Sequence, residues 1–64
     1  MKIKIGDKVK IINGIPSING MLHKGSIVKI DEIRENDVFR VVDNLGKIWW
    51  VNEIDIGRLT NYNG

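Results

Sequence analysis

Residues 2–11, KIKIGDKVKI, alternate apolar and charged positions: Ile3, Ile5, Val9 and Ile11 fall on one face, Lys2, Lys4, Lys8 and Lys10 on the other. Period two marks a strand with one buried face, and Gly6-Asp7 at its centre predicts a bend. Further short runs rich in β-branched and aromatic residues follow: SIVKIDEI (26–33), VFRVVD (38–43), KIWWV (47–51) and IGRL (56–59). In VFRVVD Phe39 and Val41 share one side, with Val38, Arg40 and Val42 on the other. Polar turns separate the runs, RENDV (34–38) and DNLG (43–46), the latter with Gly46 suited to a positive φ. NEID (52–55) predicts one short helical turn, because Asn52 can cap it and Glu53 and Asp55 suit its N-terminal end. Five short strands at this spacing predict an all-β fold, either a small barrel or an orthogonal sandwich.

Residues 12–25, INGIPSINGMLHKG, break the alternation. They hold two Asn-Gly pairs and the only proline, so turn chemistry dominates, with Ile15, Ile18, Met21 and Leu22 interspersed. A long ordered loop is expected, with one or two of those apolar side chains tucked beneath it. In so small a domain such a loop is often functional.

Composition narrows the picture. Sixty-four residues suffice for one domain and no interlobe cleft. Without cysteine, packing alone must hold it. Alanine and glutamine are absent and isoleucine occurs 12 times, which is poor material for helices and good material for strands. The wealth of Ile, Lys and Asn fits an AT-rich genome, such as a low-GC bacterium or its phage. No long apolar run exists, so a cytoplasmic protein without a membrane span or secretory leader is expected. The net charge is only +2, but it is polarised: residues 1–30 carry six Lys and one Asp, residues 31–64 four Lys or Arg and seven Asp or Glu.

Gly6-Asp7-x-Val9, the extended 12–25 segment, Gly25-x-x-Val28-x-x-Asp31 and WVNEIDI (50–56) together resemble the Src-homology-3-like barrels of bacteria and their phages. The opening GDKVKI…KGSIVKI is also similar to the KOW motif of ribosomal and transcription-elongation proteins. The resemblance spans residues 3–59 and implies a five-stranded barrel over residues 1–60, with 61–64 as a frayed tail. The aromatic runs of the proline-peptide-binding members are missing, and INGIPSING expands the KOW linker. In such a barrel Val51 points inward ahead of the helical turn. Period two then sends Trp49 inward and leaves Ile48 and Trp50 outside.

Catalysis finds little support. His23 is the only histidine and sits in a loop, while the serines are only Ser17 and Ser26. Asp31, Glu32, Glu35 and Asp37 lack the calcium-loop pattern and suit a solvated hairpin rim. No glycine motif cradles phosphate. The expectation is therefore a non-enzymatic binding module without metal or cofactor.

Its first expected target is a protein, held by Trp50, Ile48, Met21 and Leu22. The alternative is nucleic acid, with Lys2, Lys4, Lys8, Lys10, Arg40 and Lys47 on phosphates and Trp50 stacking on a base. A third reading is a small assembly subunit that pairs its sheet edge with copies of itself.

Overall fold

The computed structural model describes residues 3–18, 20–35 and 37–59. Lys2 and the 61–64 tail therefore lie outside the described residues. The elements are β1 (Lys8–Ile11), β2 (Ile15–Ser17), β3 (Gly20–Leu22), β4 (Ile27–Arg34), β5 (Val38–Val42), β6 (Ile48–Asn52), a 3₁₀ turn (Glu53–Asp55) and β7 (Ile56–Arg58). The fold is all-β, as the alternation predicts. Five strands form one antiparallel sheet in the order β6-β5-β4-β1-β7, and β2 pairs with β3 as a separate hairpin. This sheet is open, with β6 and β7 as its margins.

Alternation decides what is buried. Val9 and Ile11 of β1, Val28 and Ile30 of β4, Phe39 and Val41 of β5, Trp49 and Val51 of β6 and Ile56 of β7 all turn to the inner face. Each such side chain contributes roughly 1.5–3 kcal/mol of transfer free energy. The helical turn expected at 52–55 is the 3₁₀ turn, where the Asp55 carboxylate accepts the Asn52 backbone N–H at 3.1 Å.

The five-stranded sheet does not close into the expected barrel, and two local expectations change as well. Ile5 belongs to the inner face by its place in the alternation, but it is 66% exposed. The cause is the bend: Gly6 has φ +98°, and Lys4 N–H donates to the Asp7 carboxylate at 2.9 Å. Gly6 N–H then donates to the Ile30 carbonyl, which docks the turn on β4 and leaves Ile5 at its tip. Secondly, the 12–25 segment carries the β2–β3 hairpin rather than plain loop. Asn13 fastens its base to the 3₁₀ turn, its side-chain amide donating to the Ile54 carbonyl at 3.0 Å.

Glu35 takes φ +56° in the turn after β4, a left-handed conformation that costs an L-residue about 1 kcal/mol. Glu35→Gly should therefore raise stability, by about 0.5–1 kcal/mol in urea unfolding.

Candidate functional site

The β5–β6 hairpin sets the two tryptophans apart. Register pairs Val41 with Trp49 and Arg40 with Trp50, without a bulge. Trp49 is 7% exposed and Trp50 44% exposed, with Ile48 beside it at 51%. Asp43 holds this arrangement: one carboxylate oxygen accepts the Leu45 and Lys47 backbone N–H groups at 2.9 Å each. Its other oxygen accepts the Trp49 indole N–H at 3.0 Å. The indole bond first, then the two backbone bonds and the charge of Lys47, hold the Asp43 carboxyl below its ordinary value, against some desolvation.

The sign of the pH effect follows. With the folded pKa below the unfolded one, the unfolded chain binds more protons through the carboxylate range. The stability from Asp43 is complete above about pH 4 and is lost as pH falls through its folded value. Urea midpoints taken from neutral pH downward should fall in acid, and fall less steeply in Asp43→Asn.

The outer face is built in cross-strand rows. One row runs Lys8, Lys29, Val42, Ile48 across β1, β4, β5 and β6. Lys8 and Lys29 face each other at a pair whose hydrogen bonds go to other strands, where side chains stand closest. Neither makes an ion pair among the described residues, nor does the outward Lys10. Like charges directly opposite destabilise a sheet, so this corner is electrostatically unsatisfied.

The next row holds Arg40 and Trp50. A bulge between Ile30 and Glu32 sets Asp31 and Glu32 both opposite Arg40. The Arg40 guanidinium bonds Asp31 at 2.7 Å and Glu32 at 3.3 Å. Arg34 reaches Glu32 at 3.5 Å and lies 5.0 Å from the centroid of the Trp50 ring, with Arg40 at 6.0 Å. Trp50 is thus displayed but flanked by two cations already engaged with carboxylates.

The other expected residues are dispersed. Leu22, expected at a partner surface, is 3% exposed because β3 turns it into the core. Met21 is exposed but separate from the Trp50 row, lining a hollow of about 400 Å³ with Ile27 and Leu45. Lys4 lies in the turn before β1, outside the lysine row. Lys47 shares the inward side with Trp49, its ammonium 4.4 Å from that ring, and does not join Arg40. His23 is exposed in the loop after β3. Lys29 was not among the expected residues; its outward position in SIVKIDEI was the available signal.

Compared with protein-family models, curated proteins and solved structures, the chain finds no match. The residues must speak for themselves. Among the described residues, no group of three or more His, Cys, Asp or Glu is placed to hold a metal ion. No helix among them is long and apolar enough to cross a membrane.

Proposed function

We propose that this chain is a non-catalytic binding module whose outer sheet face takes a protein segment carrying both apolar and acidic side chains. The observation that carries this reading is the Lys8–Lys29–Val42–Ile48 row beside Trp50: exposed apolar anchors next to cations that have no carboxylate partner among the described residues. Acidic groups on a partner would relieve the Lys8–Lys29 repulsion, while Ile48 and Trp50 would bury apolar area worth roughly 25 cal/mol per Å². The strand order, the hairpin between β1 and β4 and the 3₁₀ turn before β7 support a Src-homology-3-like reading, in an open form.

Nucleic acid is the second reading, favoured by the same unpaired lysines. It ranks lower because Arg34, 5.0 Å from the ring centroid, already occupies one side of the indole on which a base would stack.

The test is a titration, followed by NMR, with an extended Glu- and Leu-containing peptide and, separately, single-stranded DNA, at about 50 and 200 mM salt. The protein reading predicts peptide-induced shifts at Lys29, Ile48 and Trp50, and a loss of at least about 2 kcal/mol of affinity in Trp50→Ala. Strongly salt-dependent DNA binding with no peptide response would replace it with the second reading.

A further inference from the structure

We propose that β6 is a pairing edge for a second copy of this chain, joined antiparallel about a twofold axis at Trp49. The hydrogen-bond pattern of the hairpin leads there. Asp43 N–H donates to the Lys47 carbonyl, so residues 43 and 47 form a hydrogen-bonded pair. In the unbroken register that follows, Trp49 and Val51 also bond to β5. The N–H and C=O groups of Ile48 and Trp50 then point away from β5, past the margin of the sheet. Asn52 also faces that way, but its N–H is already held by Asp55.

Two residues spaced two apart, whose main-chain groups find no partner among the described residues, are self-complementary. In an antiparallel copy centred on Trp49, Ile48 of each chain exchanges both main-chain bonds with Trp50 of the other. All four free groups of each chain are used. The same register sets Ile48 opposite Trp50 on the outer face, an aliphatic–aromatic cross-strand pair. Lys47 meets Val51, so no like charges face each other across the axis.

Proteins usually guard a sheet margin with charge, proline or a bulge. The strand IWWVN has none of these. The opposite margin, β7, is shorter and contains Gly57 and Arg58.

The dimer stands apart from the outer-face reading because main-chain groups at the margin hold it. The test is sedimentation equilibrium of the full chain from about 10 µM to about 1 mM. The mass should rise from 7.3 kDa toward twice that value. Ile48→Pro removes an N–H that faces away from β5, so its own sheet is spared. Dimerisation should weaken at least about tenfold, while Ile48→Val should leave it within a few-fold. Lys29→Glu, which would impair an acidic partner, should leave the mass unchanged.

Amide exchange of the unaltered chain gives a second readout should Ile48→Pro not fold: the Ile48 and Trp50 amides should slow as concentration rises. A monomer throughout the range, an equally stable dimer in folded Ile48→Pro, or concentration-independent exchange at both amides would overturn the proposal.

Discussion

Trp49→Ala is expected to leave the chain unfolded at 25 °C. The substitution removes the largest side chain of the core and abandons its bond to Asp43. Truncating a buried aromatic costs about 3–5 kcal/mol. A core of this size rarely supplies more than about 3–5 kcal/mol in total. The cost consumes the whole margin. Far-ultraviolet circular dichroism and a urea titration check it. Trp50→Ala, one residue away, should cost less than about 1 kcal/mol and keep the cooperative transition, because its ring already meets water on the outer face. Equal losses in the two variants would refute the division of labour between the neighbours.

Asp43→Asn carries the second large effect, about 1–3 kcal/mol. The native carboxylate spends one oxygen on two turn N–H groups and the other on the indole. Asparagine offers a single acceptor oxygen. It can keep the turn by accepting from Leu45 and Lys47, which leaves the Trp49 N–H against an amide nitrogen that cannot accept it. A largely buried donor is then unsatisfied. Chemical unfolding at neutral pH should show the loss, and the variant should also lack most of the acid-dependent decline. Full stability together with an unchanged acid profile would show that the clamp contributes nothing.

The strands were legible because their alternation is strict wherever one face is buried. Phe39 and Val41, or Trp49 and Val51, leave no second arrangement that fills the core. The direction of Trp50 followed from the same rule.

Local pattern and final structure part company at particular residues. Ile5 kept the rhythm of its strand in sequence, but a left-handed Gly6 and a docked turn took it out of the sheet. The β2–β3 hairpin has strands of three residues each, too short to display a period. Its Asn19-Gly20 pair was the one available sign.

The surface was harder still. A bulge that aims Asp31 and Glu32 at one arginine is a property of the paired strands, not of either strand alone. Lys8 and Lys29 are 21 positions apart and meet only through register. Asp43 reads locally as a turn residue, and its reach to an indole six positions on appears only once the hairpin closes.

Hydrogen exchange of the two indole N–H protons tests the arrangement of the tryptophans most directly. The Trp49 proton, held by Asp43, should exchange only when the chain opens, whereas the Trp50 proton should exchange at nearly the rate of a free indole. Slow exchange at Trp50 with fast exchange at Trp49 would place the wrong ring in the core and remove the basis for the outer binding face.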